Sequence, residues 1–233
     1  MTAEGAAPPA APLDPAACAV ALDTHDLDRA LGLARILRPW FAIAKVGLEL
    51  FGAVGPRAVL SLSDEGFEVF VDLKLHDIPN TVAGAARSLA GLGARYVTLH
   101  AAGGPDMLRA GAEGLAAARP AGAEAPVALA VTVLTSDSLA EPDVLARRAR
   151  AAAAAGCGGV VCAAGDLPAI RAAVPGLLRA VPGIRPRGAA ADDQARVATP
   201  AAAVAAGADI LVIGRPVTAA TDPAEAAAAL LGG

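Results

Sequence analysis

The stretch FVDLKLHDIPNT, residues 70–81, joins a strand-like apolar pattern to a group of ionisable side chains. Successive side chains of a β-strand point to opposite faces, so Asp72, Lys74 and His76 share one face and the intervening apolar residues share the other. Burial of an unpaired charge is costly, so the charged face needs charged partners or a polar ligand. The segment therefore predicts a buried strand that carries charged groups to a functional site.

Seven further short apolar runs alternate with helix-like segments along the chain. The helix-like segments are rich in good helix formers, and glycine lies at or after their ends. Asp26, Asp106 and Asp143 stand where three of these helices would begin. The eight predicted strands cover, in chain order, residues 18–23, 41–47, 68–75, 96–101, 126–135, 159–164, 177–183 and 209–215.

Eight strand–helix units in series predict a single (β/α)8 TIM barrel, an α/β fold, over residues 17–233. A doubly wound open sheet is the competing arrangement, and the number of strands alone does not exclude it. No G-x-G-x-x-G motif follows the first strand, so the usual dinucleotide-binding version of that sheet is disfavoured. Residues 1–16 are rich in alanine and proline and are predicted to form a disordered tail.

The composition argues against several classes of partner. The 233-residue chain has a formal net charge of −4, 3% aromatic residues and no basic run, so nucleic acid is not an expected partner. Its three cysteines form neither a disulfide framework nor the paired spacing of a zinc site, which favours a reducing cytoplasm and no bound metal. The longest weakly polar run is interrupted by glycines and is too short to span a bilayer.

Acids and bases cluster at the ends of the first three predicted strands. Asp23 closes the first strand, Lys45 lies near the end of the second, and Asp77 follows Asp72 and Lys74 in the next loop. The carboxyl ends of barrel strands converge on one rim, where active sites are built. A structural ion-pair network is the alternative explanation of the cluster, and a helix cap is the alternative for Asp23 alone. Five such groups from consecutive strands favour a site.

The last two strands are followed by features of a phosphate site. The segments PGIRP (182–186) and LVIGR (211–215) lie where barrels commonly hold a phosphate group. Arg185 and Arg215 supply positive charge, and Gly214 would allow close approach of the backbone. A salt bridge at the rim is the alternative for Arg215. Together these segments predict a phosphate ester that spans the rim, with its reacting end over the third strand.

These motifs, with KVGLELF (45–51) and VTVLTS (131–136), closely resemble the bacterial type of the orotidine 5′-phosphate decarboxylase family across nearly all of residues 17–233. The string D-x-K-x-x-D-I-P-N-T, which begins at Asp72, is the most specific of them. The resemblance implies removal of CO2 from orotidine 5′-phosphate to give UMP, the last step of de novo pyrimidine synthesis. It also implies a homodimer that works without a metal or organic cofactor.

The resemblance further implies roles for individual residues. Lys74 would protonate C6 of the pyrimidine as the carboxylate leaves, and Asp72 would lie beside that carboxylate. Lys45 and Asp77 would complete an alternating charge network, with Asp77 reaching the site of the partner subunit. From its residues rather than from the resemblance, the loop 184–196, with Gly188 and a run of alanines, is expected to be a lid that grips the phosphate. The residues expected to bind substrate are Asp23 and Lys45 (ribose), Ser136 (pyrimidine edge), Gln194 and Arg215 (phosphate), and also Asp72, Thr81, Thr135, Arg185 and Gly214.

Two other functions compete with this one. Related barrel enzymes, 3-keto-L-gulonate 6-phosphate decarboxylase and hexulose-phosphate synthase, use an Asp-x-Lys-x-x-Asp arrangement with Mg²⁺. The LHDIPNT continuation, the Thr135–Ser136 pair, Gln194 and Arg215 favour the pyrimidine enzyme. A catalytically inactive barrel that binds a phosphate ligand is the second alternative, and the intact charged cluster argues against it. His76 and His100 are interpreted as structural residues rather than metal ligands.

Overall fold

A computed structural model of the chain describes residues 12–118, 124–134, 141–188 and 196–232. Within these residues eight parallel strands close into a barrel, each strand pairing with the next and the last with the first. The predicted (β/α)8 barrel is confirmed, and the open sheet is excluded. The strands are β1 Cys18–Ala21, β2 Ile43–Gly47, β3 Glu68–Leu75, β4 Tyr96–His100, β5 Val127–Val131, β6 Gly159–Val161, β7 Leu178–Val181 and β8 Ile210–Ile213.

The helices pack around the outside of this barrel. Asp26 accepts hydrogen bonds from the N–H groups of Asp28 and Arg29 at the start of α1 (Leu27–Leu37). Asp106 and Asp143 lie in the first turns of α5 (Gly104–Ala117) and α6 (Pro142–Ala154), as the sequence predicts. No helix among the described residues is long and apolar enough to cross a membrane. The helices are α1 Leu27–Leu37, α2 Leu48–Val54, α3 Pro56–Asp64, α4 Pro79–Gly91, α5 Gly104–Ala117, α6 Pro142–Ala154, α7 Leu167–Ala173, α8 Pro200–Ala206, α9 Arg215–Thr218 and α10 Pro223–Leu231.

Side chains of the strands divide into two apolar layers. Outward-facing residues such as Val69 and Val97 pack against the helices, while inward-facing residues fill the barrel. Phe70 and Tyr96 belong to the inner layer, and their rings meet edge to face with centroids 6.0 Å apart. Two residues further along the same strands, the polar residues Asp72 and Thr98 follow. The strand periodicity therefore places polar groups directly beyond the apolar filling of the barrel.

The ordered structure begins earlier in the chain than the sequence predicts. Pro15–Ala17 form one turn of 3-10 helix, which the Asp14 carboxylate caps by accepting from the N–H of Ala16. The Leu13 N–H donates to the carbonyl of Leu231 at 3.0 Å, and the Ala42 N–H donates to the carbonyl of Pro15 at 2.9 Å. Residues 13–16 thus differ from the predicted disordered tail, because their backbone groups are bonded to the barrel. Residues 1–11 of that tail lie outside the described ranges.

Candidate active site

A cavity of about 580 Å³ opens at the carboxyl ends of the strands. Its floor is apolar, with Phe70 and Val131 among the residues that line it, and its wall carries the charged groups. The ends of strands from opposite sides of the barrel meet here, which explains why residues far apart in sequence become neighbours. The residues predicted from sequence that line it are Asp23, Lys45, Asp72, Lys74, Arg185, Gly214 and Arg215.

Four of the charged groups form a row of alternating sign along one wall. Lys45 Nζ lies 3.0 Å from Asp23 Oδ1 and 3.7 Å from Asp72 Oδ2, and Lys74 Nζ lies 2.9 Å from Asp72 Oδ1. The side chains of Lys45 and Asp72 are only 10% and 14% exposed, so solvent screens their attraction weakly. The row holds two cations and two anions in fixed positions at the edge of an apolar cavity.

Asp72 is the centre of the row. Burial opposes ionisation of its carboxyl group, but the nearby charges of Lys45 and Lys74 and the hydrogen bonds from Lys74 and Thr98 outweigh burial and lower the pKa. The group is therefore a carboxylate at neutral pH. Its negative charge lies within 2.9 Å of Lys74 Nζ and 3.7 Å of Lys45 Nζ, so it attracts and orients both side chains.

Lys74 lies at an irregularity of β3. Val71 pairs with Val97 and Leu75 pairs with Leu99, so three residues of β3 stand opposite the single residue Thr98 of β4. Lys74 has a φ of 51°, and it is the one non-glycine residue among those described with a positive φ. The left-handed conformation is unfavourable for a side chain of this kind and is found where surrounding contacts impose it. The bulge therefore re-aims the end of β3.

Two residues that support the row were not identified from the sequence. Thr98 is fully buried, accepts the N–H of Lys74 at 2.8 Å, and donates its hydroxyl to Asp72 Oδ1 at 3.1 Å. Gly47 provides space, because a Cβ there would lie 2.8 Å from Asp23 Oδ1 and 3.2 Å from Lys45 Nζ. The strand periodicity of β4, in which Thr98 follows Tyr96 by two, was a signal that could have identified Thr98.

His76 and His100 stack on each other with ring centroids 5.3 Å apart. Regular alternation would place His76 on the face of Asp72, but His76 lines a second cavity of about 330 Å³ beside α4 rather than the main one. The bulge at Lys74 breaks the alternation and is the physical reason for this difference. His100 accepts the Ala102 N–H at Nδ1, and burial, followed by the charges of His76, Arg148 and Lys74, lowers its pKa.

Asp77 and Thr81 do not line the main cavity. Both are exposed and border the second cavity, and the Asp77 carboxylate accepts the N–H of Ile78 at 2.6 Å. The side chain of Ile78, which follows Asp77, is 67% exposed. Within a single chain, the structure does not bring Asp77 into the row with Lys45 and Asp72.

The far wall of the cavity carries the two arginines. Arg185 is buried, Arg215 is exposed at the start of α9, and Gly214 directly precedes that helix. A Cβ on Gly214 would lie 3.4 Å from the Cβ of Ala21, which is an ordinary contact distance. The backbone at Gly214 therefore leaves room for a ligand on its cavity side. The wall opposite Lys74 therefore presents positive charge. Thr135, Ser136 and Gln194, which were predicted to bind substrate, lie outside the described residues.

A partly buried ion pair links chain segments beside this wall. Arg196 Nη1 lies 2.6 Å and 2.8 Å from the two carboxylate oxygens of Asp166, and Arg196 Nη2 donates to the carbonyl of Leu134 at 3.2 Å. Neither Asp166 nor Arg196 was identified from the sequence, because no motif marks them. The ion pair connects the segments after β6 and β7, and the hydrogen bond to Leu134, which lines the cavity, adds the segment after β5.

The described residues contain no group of three or more His, Cys, Asp or Glu side chains that could hold a metal ion. The cysteines lie away from the cavity. All three are buried free thiols, and burial raises the pKa of each to about 12, so they are poor nucleophiles. The three residues concerned are Cys18, Cys157 and Cys162.

Comparison with known proteins gives a consistent result. The sequence profile of the orotidine 5′-phosphate decarboxylase / HUMPS family matches residues 18–230. Orotidine 5′-phosphate decarboxylase of Anaeromyxobacter dehalogenans is 53% identical over 224 residues, covering 91% of this chain and 96% of that protein. The enzyme of the same name from Thermobifida fusca is 48% identical over 216 residues, covering 91% and 93%.

Solved structures show the same likeness in three dimensions. Orotidine 5′-phosphate decarboxylase from Lactobacillus acidophilus superposes with a TM-score of 0.78 at 35% identity, covering 91% of this chain and 96% of that chain. The enzyme of the same name from Pyrococcus horikoshii superposes with a TM-score of 0.74 at 28% identity, covering 92% and 97%.

Proposed function

Because the chain belongs to the orotidine 5′-phosphate decarboxylase / HUMPS family, we propose that it is a carboxy-lyase that converts orotidine 5′-phosphate to UMP and CO2 in pyrimidine biosynthesis. The observation that carries the proposal is the row of alternating charges from Asp23 to Lys74 in a cavity whose opposite wall carries Arg185 and Arg215. A nucleoside monophosphate has a reacting base and a phosphate at opposite ends, which matches this division of the cavity.

Lys74 is the proposed proton donor. When the bond between C6 and the carboxylate breaks, CO2 leaves and the bonding electron pair stays on C6. The ammonium group of Lys74 stabilises this developing negative charge and transfers a proton to C6, after which the neutral amine regains a proton from solvent. The hydrogen bond of 2.9 Å to Asp72 supports this role, since it orients the ammonium group. The step as proposed uses no metal or organic cofactor.

The remaining charges position the substrate. Asp72 lies beside the site of the leaving carboxylate, and Asp23 and Lys45 bind the ribose hydroxyl groups. Arg185 and Arg215 with Gly214 and Gln194 bind the phosphate, and Thr135 and Ser136 bind the pyrimidine. Binding energy from the distant phosphate holds the ring in the geometry needed for reaction and so contributes to the rate.

We further propose that the enzyme is a homodimer in which Asp77 and Thr81 reach the partner subunit's cavity. Their exposure, their position outside the cavity of their own chain and the 67% exposed side chain of Ile78 between them support this arrangement. A second carboxylate beside Lys74 would extend the alternating row. The buried free thiols agree with a reducing cytoplasm as the location of the enzyme.

Orotidine 5′-phosphate and UMP differ in ultraviolet absorbance, so turnover of the purified protein can be followed directly, with and without EDTA. We expect conversion to UMP at the same rate in both conditions. Loss of activity in EDTA that Mg²⁺ restores would favour the Mg²⁺-dependent sugar-phosphate enzymes of the same family. A folded protein that converts no orotidine 5′-phosphate in either condition would refute the proposal, and phosphate-ligand binding by an inactive barrel would then be tested.

A further inference from the structure

The backbone of Lys74 adopts a conformation that its own sequence does not explain. A φ of 51° is unfavourable for a residue with a Cβ, and no glycine or asparagine occupies the position. In the bulge, three residues of β3 face one residue of β4, so the regular strand-to-strand hydrogen bonds are interrupted there. The Lys74 N–H therefore needs an acceptor other than the backbone of β4, because the site is largely buried.

The hydroxyl of Thr98 supplies that acceptor. Lys74 N–H donates to Thr98 Oγ1 at 2.8 Å, so the hydroxyl hydrogen is free to be donated elsewhere. It is donated to Asp72 Oδ1 at 3.1 Å, the same oxygen that accepts from Lys74 Nζ at 2.9 Å. Thr98 thus bonds to the backbone of Lys74 and to the carboxylate that orients the side chain of Lys74. Thr98 is fully buried, so no bulk water replaces its hydroxyl.

We propose that Thr98 is a positioning residue for the reaction. Its hydroxyl holds the left-handed backbone of Lys74 and the carboxylate of Asp72 in fixed positions relative to each other. This arrangement directs the Lys74 ammonium group toward the substrate. The inference rests on the proposed function for its catalytic consequence, while the geometric part stands on the described contacts alone. Thr98 itself does not line the main cavity, so it acts through Lys74 and Asp72 rather than on the substrate.

The test compares Thr98→Val, which keeps the shape and removes the hydroxyl, with Thr98→Ser, which keeps the hydroxyl. We expect kcat of Thr98→Val to fall about 10- to 100-fold, because a misplaced reacting group costs rate steeply. The KM for orotidine 5′-phosphate and the Kd for UMP should change by less than about threefold, because the phosphate and ribose contacts remain. Thr98→Ser should restore kcat to within about threefold of the wild type.

Thr132→Val is the matched control for loss of a buried hydroxyl. Thr132 is also fully buried, but its hydroxyl donates to the carbonyl of Val161 at 3.1 Å and bonds to no charged group. We expect its Tm to fall by an amount similar to that of Thr98→Val while kcat stays near the wild-type value. An equal fall of kcat in both variants, a normal kcat in Thr98→Val, or no rescue by serine would each overturn the proposal.

A crystal structure of Thr98→Val separates this proposal from the proposed function. A Lys74 that has left the left-handed region, or a Lys74 Nζ no longer bonded to Asp72, supports positioning by Thr98 whatever substrate the enzyme uses. Unchanged geometry at both places overturns it. If the wild-type protein converts no orotidine 5′-phosphate, the proposed function fails, and the crystal structure alone decides whether Thr98 positions Lys74.

Discussion

Replacement of Asp72 by asparagine removes one negative charge from between two ammonium groups and keeps the shape of the side chain. The carboxylate lies 2.9 Å from Lys74 Nζ and 3.7 Å from Lys45 Nζ. Removal of one partner from a buried ion pair costs about 3–5 kcal/mol. Lys74 is 32% exposed and Lys45 keeps Asp23 at 3.0 Å, so solvent and the remaining pair offset part of that cost. We expect the free energy of unfolding to fall by about 2–3 kcal/mol.

The pH dependence of this loss follows from the lowered pKa of Asp72. In the unfolded chain the carboxyl group titrates near its ordinary pKa of 3.8, and in the folded chain it titrates below that value. Its contribution to stability is therefore fully present above the unfolded pKa and is lost as pH falls through the folded pKa. The difference in unfolding free energy between wild type and Asp72→Asn should stay constant from about pH 5 to pH 8 and narrow below about pH 4.

The assay is urea unfolding followed by circular dichroism across this pH range, together with turnover at neutral pH. Asp209→Asn is the matched control, since Asp209 accepts from Arg179 Nε at 2.7 Å at the opposite end of the barrel. Both variants should lose stability, but only Asp72→Asn should lose turnover, by about 100-fold or more. Wild-type stability of Asp72→Asn at pH 7 would refute the energetic argument, and wild-type turnover would remove Asp72 from the chemistry.

Four other substitutions test separate parts of the structure. Lys74→Ala should abolish decarboxylation and leave the circular dichroism spectrum unchanged, because the apolar face of the strand is kept; a near-normal kcat would exclude Lys74 as the proton donor. Arg215→Ala should lower kcat/KM mainly through a higher KM, as measured by steady-state kinetics, and an unchanged value would place the phosphate elsewhere. Gly114→Ala should lower the free energy of unfolding by about 1–3 kcal/mol, since its Cβ would lie 2.5 Å from the carbonyl oxygen of Ala83. A Cβ at Gly84 would lie no closer than 3.9 Å to any other group, so Gly84→Ala should raise the free energy of unfolding by about 0.5–1 kcal/mol. Urea unfolding that ranks the two glycine variants in the opposite order would contradict the packing argument.

The strands were predictable because their signal is local. Each apolar run that the sequence marks contains an observed strand, and the two agree fully for β3, Glu68–Leu75. The predicted run extends furthest beyond the observed strand at the fifth run, residues 126–135, because β5 ends at Val131. Beyond that residue Val133 and Leu134 line the cavity, so the apolar character continues after the strand pairing has stopped.

The charged row was predictable for a related reason. Strand ends converge on one rim of a barrel, so polar residues at successive strand ends must be neighbours once the fold is known. Asp23, Lys45, Asp72 and Lys74 meet as this rule requires. His76 does not follow the rule, because the alternation of β3 stops being regular at Lys74.

The sequence by itself determined the number and order of the strands, the rim on which the charges gather, and the motif that places the chain in its family. These features depend on side-chain alternation and on residues close together in the chain. Only the tertiary structure decided the bulge at Lys74, the support from Thr98 and the ion pair of Arg196 with Asp166. Each of these joins residues 24 or more positions apart, and whether they meet depends on strand register and loop packing, which no local pattern encodes.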